Sequence, residues 1–360
     1  MTYRVFITDC EGPVSKNDNA FELAQHYIPN GAKFFRILSR YDDVLAYLER
    51  RPDYSAGYTL KLVAPFLKAY GATNQEVEEY SRSHILLIED AKEALHYTLG
   101  LLPSYIVSTS YEQYIEALCK VLDFPVANTF STKLDLDKHG LSEGEVALLK
   151  GLREEISQLP DIEIPEGAKR VEDLPAEMRR TVERLDGVFF SELPRMIIGR
   201  LLDDVRPIGS WEKAEALRKI GGRLKRSLDG FMYVGDSITD VEAFKVIREA
   251  GGLAVSFNGN QYAVREADVA ILSKSALATA LVAETFAKQG RDGVLQLAEN
   301  WGPEAIRKSI RSELSDCFFS ASREDIPRVI RVTSDNVEQL VEESNAFRKT
   351  VRGRAVGSLG

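Results

Sequence analysis

Cysteine is scarce in this chain of 360 residues: there are three, at positions 10, 119 and 317. Their spacing suits no metal site. An odd, sparse set excludes a disulfide framework and fits a reducing compartment. Cys119 falls in a helical pattern and reads as a small packed hydrophobe. Long apolar runs are also missing. No stretch reaches the ~18 uninterrupted apolar residues of a membrane span, so no membrane span is expected. The N-terminal apolar stretch is short and runs straight into Asp9 and Glu11, which is not the pattern of a signal peptide. A cytoplasmic location is the expectation. Positive charge is in deficit, with 46 Lys and Arg against 55 Asp and Glu and a net charge of -9. A general nucleic-acid binder needs a basic face, so no nucleic-acid partner is expected. An anionic substrate stays open, because the local field of a cleft outweighs net charge. There is no internal repeat and no low-complexity segment.

What is present is ordinary for a globular protein: 44% hydrophobic and 28% charged residues. The length allows two or three domains. Residues 3–8 (YRVFIT) read as a strand, and residues 19–99 carry mostly helical spacing of apolar residues. Breaks fall at Pro29-Asn30-Gly31, Pro52 and Gly71, the last followed by a Thr73 cap. Residues 104–107 (SYIV) form a second predicted strand before a helix. VANTFSTKLDLDKHGLS reads as strands with a His139-Gly140 turn. Residues 143–205 are charged, hold four prolines and do not alternate strand with helix. Alternation resumes with helix 211–226, strand 231–234, helix 239–249 and apolar runs at 253–257 and 267–272. From 276 onward the pattern is helical, ending in a basic tail, KTVRGRAVGSLG, expected to be loose.

Strand alternating with helix specifies an α/β class with a parallel sheet. The expected architecture is a Rossmann-like, doubly wound parallel sheet core with a mainly helical cap and a second insertion. The core is assigned to 1–16, 100–142 and 206–285, the cap to 17–99, the inserted segment to 143–205 and a helical extension to 286–360. Such sheets carry their sites at the carboxyl ends of the strands. Three motifs fall there: Asp9-Cys10-Glu11-Gly12, Ser108-Thr109-Ser110 and Gly235-Asp236-Ser237-Ile238-Thr239-Asp240, with Lys213 on the helix before the third.

Asp9, Asp236 and Asp240 come from two strand ends and can converge. Several oxygen ligands with open water positions suit Mg²⁺. A carboxylate so placed can act as a nucleophile toward phosphorus. Ser108 and the amides of Thr109 and Ser110 can hold phosphoryl oxygens, and Lys213 can balance their charge. Singly, each residue has a plainer reading. Ser108 would cap the next helix, Asp240 would favour a helix start, and Lys213 would lie on the surface. Order, spacing and strand-end placement together make the case.

That ordered set resembles the haloacid dehalogenase-like superfamily, whose members are mostly Mg²⁺-dependent phosphatases. Within it, residues 107–131 and 251–271 are similar to core segments of the phosphoserine phosphatase-like group. The opening TDCEGP also resembles an archaeal subgroup labelled energy-converting hydrogenase A subunit R. The likeness covers 3–16, 104–142 and 206–273, but not 143–205 or the C-terminal helices. It implies Asp9 as nucleophile, Glu11 as general acid and base, Ser108 and Lys213 as phosphate-site residues, and Mg²⁺ on Asp9, Asp236 and the main-chain carbonyl of Glu11, with Asp240 in support. The implied substrate is a small phosphorylated metabolite, hydrolysed through an aspartyl phosphate. A second reading is a catalytically weak binding or assembly protein with the same fold, docked in a larger complex or as a homodimer. Related phosphotransfer is a third, while carbon–halogen hydrolysis would leave the metal aspartates without a task.

Two departures stand out. The family's phosphatases carry Asp where this chain has Glu11. The extra methylene moves the carboxyl by about 1.5 Å, one C–C bond, and a misplacement of ~1 Å can lower a rate about 10²-fold. Pro13 then stands where Thr is usual, so one N–H near the phosphate is missing. The cap and insert should roof the site, and Arg36, Arg40, Arg195 and Arg200 there are candidate substrate contacts, against the ordinary reading of solvated helix charge.

Overall fold

The computed structural model describes residues 4–165, 167–321 and 326–358. Tyr3 of the first predicted strand, and Leu359 and Gly360 of the expected tail, lie outside them. Seven strands form one sheet: β1 (Val5–Thr8), β2 (Ser104–Tyr111), β3 (Thr129–Thr132), β4 (Phe231–Gly235), β5 (Leu253–Phe257), β6 (Val269–Leu272) and β7 (Arg328–Arg331). Their order is β3-β2-β1-β4-β5-β6-β7. The first six run parallel and β7 pairs antiparallel at the edge. This is the doubly wound α/β architecture expected from the sequence.

The inner strands are buried on both faces, which is why they read as unbroken apolar runs rather than alternating ones. Phe6, Ile106, Met232, Val234 and Val255 point to one side, against helices Ala91–Leu101, Glu112–Leu122 and Leu277–Glu299. Val5, Ile7, Val107, Phe231 and Tyr233 point to the other, against helices Ser210–Leu224 and Val241–Glu249. A separate apolar core joins helices from two distant stretches of chain. Phe34, Tyr41, Phe66 and Val77 of the earlier helices pack with Leu149, Leu185 and Leu201 of the later ones. The helices of 143–204 therefore close onto those of 19–83. The Thr73 cap forms a complete capping box with Glu76 at the start of helix Asn74–Ser83.

Four sequence expectations are corrected. Strand β2 continues to Tyr111 instead of stopping at Val107, so Ser108, Thr109 and Ser110 sit inside its last turns of pleat. Its pairing with β3 shifts register between Val107 and Tyr111, the irregularity that lets it run on. After β3 there is no further strand through His139-Gly140 among the described residues; the segment is loop, with His139 Nε2 2.5 Å from Asp204. The all-helical reading after 276 missed β7, four residues that follow Pro327. Lastly, the basic tail is not loose through most of its length. Helix Val337–Arg352 and a short turn at Val356–Ser358 are ordered parts of the fold.

No helix among the described residues is long and apolar enough to cross a membrane. All three cysteines are free; Cys10 and Cys119 are buried and Cys317 is exposed.

Candidate active site

β1 lies in the middle of the sheet. Its neighbours β2 and β4 depart in opposite directions, so a crevice opens beyond its carboxyl end. Asp9 is the first residue past that end, and its N–H donates to Val234 O at 2.8 Å, extending the ladder by one step. The chain then turns at Gly12, where φ is +103°. Glycine is required there twice over. The conformation is one that side chains resist, and a Cβ would overlap the Asp236 carboxylate.

β4 ends at Gly235, where a Cβ would collide with the Asp240 carboxylate. Asp240 is fully buried and saturated. Its Oδ2 accepts the N–H of Asp236 (2.9 Å) and of Ser237 (3.0 Å), and its Oδ1 accepts Tyr233 Oη–H (2.7 Å) and Lys213 Nζ–H (2.8 Å). It therefore shapes the loop and holds the lysine. Lys213 is also fully buried and donates to Asp9 Oδ2 at 2.6 Å and Thr239 Oγ1 at 3.1 Å. Burial alone would lower the Lys213 ammonium, but Asp240 and Asp9 more than offset it and keep it charged. Burial pushes the Asp9 carboxyl up to about 7, opposed by Lys213. Asp240 is held below the usual carboxylate range: burial would raise it, and Lys213 outweighs that.

The carboxylate oxygens of Asp9, Asp236 and Asp240 have ligand atoms within 4.8 Å of one another. Hard, buried oxygens of this kind fit a small divalent cation such as Mg²⁺. With the oxygens of Asp240 saturated, Asp9 and Asp236 have the carboxylates that could hold it.

Glu11, two residues past Asp9, is half-buried, and its Oε1 accepts the N–H of Asn19 at 2.7 Å. Burial, then the neighbouring Asp18 carboxylate, lift its pKa well above the usual range, against the Asn19 N–H and Arg352. Ser108 and Ser110 are buried and bonded to each other, Oγ to Oγ at 3.1 Å, and the Ser110 N–H donates to Ser108 Oγ at 3.2 Å. Thr109 lines the cavity, with its hydroxyl committed to Ile208 O at 2.9 Å.

The cavity at these strand ends holds about 100 Å³. Asp9, Glu11, Thr109 and Asp236 form its floor, and Phe35, Ser39, Asp42 and Asp43 reach in from the helices above. A larger cleft of about 910 Å³, walled by Tyr47, Tyr54, Tyr58 and Trp211, adjoins the start of helix Ser210–Leu224 but includes none of the residues that converge on Asp9. The candidate arginines of the cap and insert are not among the residues that line this cavity. Arg36 pairs with Asp161 at the surface, Arg40 pairs with Asp43 from outside the cavity, and Arg195 and Arg200 are exposed.

Their place is taken by two residues that sequence reasoning missed. Arg348 and Arg352 lie one turn apart on helix Val337–Arg352 and are both buried at their guanidinium ends. Arg352 Nη1 donates to Asp236 Oδ2 at 3.0 Å, and Arg348 Nη1 pairs with the same oxygen. Arg348 also reaches Asp236 O at 3.2 Å. Arg352 Nε donates to Lys16 O at 3.1 Å, and its Nη2 to Asn17 O. The sequence signal was an i, i+4 arginine pair, which on a helix normally means solvated charge.

No family model matches the chain, and no curated protein matches it. Among solved structures it is similar to the gene product AF1437 from Archaeoglobus fulgidus, over 100% of this chain and 99% of that one, with 29% identity and a TM-score of 0.81. Two structures of phosphoserine phosphatase, one in apo form and one a phospho-aspartyl intermediate analogue, align over 76% and 75% of this chain and 96% and 93% of theirs. Both are 15% identical, with TM-scores of 0.43 and 0.42.

Proposed function

We propose that this chain is a phosphomonoesterase of the haloacid dehalogenase-like kind, acting on a small phosphorylated metabolite. The observation that supports it most is the single ammonium of Lys213, buried between Asp9 at one strand end and Asp240 at the next. A buried carboxylate nucleophile facing a phosphate needs such a cation. The cavity of about 100 Å³ favours a small ester.

The steps follow from the residues. The Asp9 carboxylate attacks phosphorus, and the bond to the ester oxygen breaks. Glu11, in its protonated form, gives its proton to the leaving oxygen. Ionised Glu11 then takes a proton from water, whose oxygen attacks the aspartyl phosphate. Inorganic phosphate leaves and Asp9 is restored. Lys213 fixes Asp9 throughout, and Asp240 fixes Lys213. A Mg²⁺ ion, held by Asp9, Asp236 and the main-chain oxygen of Glu11, would supply positive charge beside the phosphoryl oxygens.

The test is release of phosphate from an aryl phosphate with Mg²⁺ or with EDTA, by wild type and by Asp9→Asn. Loss of release on chelation and in the variant is expected. A near wild-type rate in Asp9→Asn removes the covalent route. The arginines on Asp236 favour a second reading, a binding or assembly protein that retains the fold. Its outcome is tight Mg²⁺ binding with no release from any phosphomonoester in a metabolite screen.

A further inference from the structure

We propose that Arg348 and Arg352 are ligands of the substrate's phosphoryl group, delivered into the site by helix Val337–Arg352; the assignment rests on the phosphomonoesterase reading above. The charge of the cavity makes the first argument. Six carboxylic side chains line it: Asp9, Glu11, Asp18, Asp42, Asp43 and Asp236. The cationic side chains among the lining residues are Arg348 and Arg352. A phosphoryl dianion entering this space needs positive donors, and these two are the ones on its wall.

Lys213 does not meet the need by itself. An ammonium has three N–H donors, and here they go to Asp9, Asp240 and Thr239. Arg348 does have a donor to offer. Arg348 Nε is buried without an acceptor. Leaving a buried donor unmet is unfavourable, and an anion brought into the cavity is an acceptor that remedies it.

Helix packing supplies the third argument. Both guanidiniums rest on Asp236 Oδ2, on the carboxylate assigned to the cation. A divalent ion and the arginines compete for it. The displaced arginines cannot swing away, because their helix is fixed to the core. Leu340 and Val341 are buried against Val264, Ala270 and Leu272, and Ser344 Oγ donates to Gly259 O at 2.6 Å. A phosphoryl group on Asp9 brings a further, doubly charged acceptor into the same cavity. The planar fork of arginine matches its paired oxygens. Asp236 is thus where the arginines rest until cation and phosphate arrive together.

Isothermal calorimetry tests this with two probes, Mg²⁺ alone and inorganic phosphate in the presence of Mg²⁺. Arg348→Lys and Arg352→Lys keep a charge beside Asp236 and lose the fork. Each is expected to weaken phosphate binding at least about tenfold, the worth of one charge-assisted hydrogen bond, while Mg²⁺ binding holds or tightens. Phosphate affinity within about twofold of wild type, with tighter Mg²⁺ binding, overturns the proposal and makes the arginines simple competitors of the cation. If Arg348→Lys does not fold by thermal melting, Arg352→Lys and Arg352→Gln decide alone, since Arg352 bonds mainly to main-chain oxygens. A wild-type protein that binds Mg²⁺ but no phosphate overturns the phosphomonoesterase reading and this assignment with it.

Discussion

At the scale of single residues, proton transfer in the proposed phosphomonoesterase rests on Glu11. Burial first, and then Asp18, raise its pKa, the direction a proton donor needs. Glu11→Gln keeps the size and an acceptor for the Asn19 N–H but cannot transfer a proton. The rate on an alkyl phosphate is expected to fall ~10²–10⁴-fold, and less on an aryl phosphate, whose leaving group needs little protonation. Equal steady-state rates for wild type and Glu11→Gln on the alkyl ester remove the role. Gly12 gives a second expectation. Gly12→Ala puts a methyl group into the Asp236 carboxylate at a backbone angle that resists it. The variant should lose at least about 1–2 kcal/mol in urea unfolding and bind Mg²⁺ more weakly by calorimetry. Unchanged stability and Mg²⁺ affinity would mean the turn shifts freely. Residues of this kind were legible because strand ends and the spacing of VGDSITD put chemistry at known places. Arg348 and Arg352 were not, because only the docking of their helix distinguishes them from any exposed pair.

Among the elements, helix Val337–Arg352 does two things at once. It covers Val264, Ala270 and Leu272 with Leu340 and Val341, and it carries charge to Asp236. Ending the chain after Asn336 removes both. The lost burial of two aliphatic side chains alone is worth about 3–6 kcal/mol. Asp236 is also left without its cationic partners, so Mg²⁺ should stabilise the shortened chain more than the full one, through binding linkage. Scanning calorimetry with and without Mg²⁺ reads the difference, and an equal shift in both proteins contradicts it. The elements hardest to read from sequence were those with too few residues to show a period. β7 has four residues at the sheet edge. The extension of β2 through three polar residues has the composition of a turn, and it becomes strand because β3 pairs with it at Tyr111.

Over the whole molecule, the sheet was the legible part. Strands buried on both faces write themselves as apolar runs, and the helices between them force parallel pairing. The closure of helices 143–204 onto 19–83 was not legible, because their shared core joins residues far apart in sequence, such as Tyr41 and Phe189. That lobe also sets a pH dependence. Burial, then Asp43, raise the Asp42 carboxyl from 3.8 to about 7. The folded chain therefore holds a proton on Asp42 where the unfolded chain has lost it. This contribution to stability is complete below about pH 4 and is lost as pH rises toward about 7. Asp42→Asn cannot ionise and retains an acceptor for the N–H of Gly57 and the hydroxyl of Thr59. Its stability relative to wild type should grow by on the order of 1 kcal/mol or more between about pH 4 and about pH 8, measured by urea unfolding. A constant difference across that range would sink the argument.

The contact from Arg352 to Lys16 spans 336 residues. A ribosome adding roughly 5–20 residues per second therefore leaves the two apart for on the order of 20 to 70 s. In the last part of that interval β4 and Asp236 have been made, and the guanidiniums that pair with Asp236 have not. The nascent protein must shelter an acidic, half-built crevice until synthesis reaches its counter-charge. A pause in translation anywhere between β4 and helix Val337–Arg352 would prolong that exposed state.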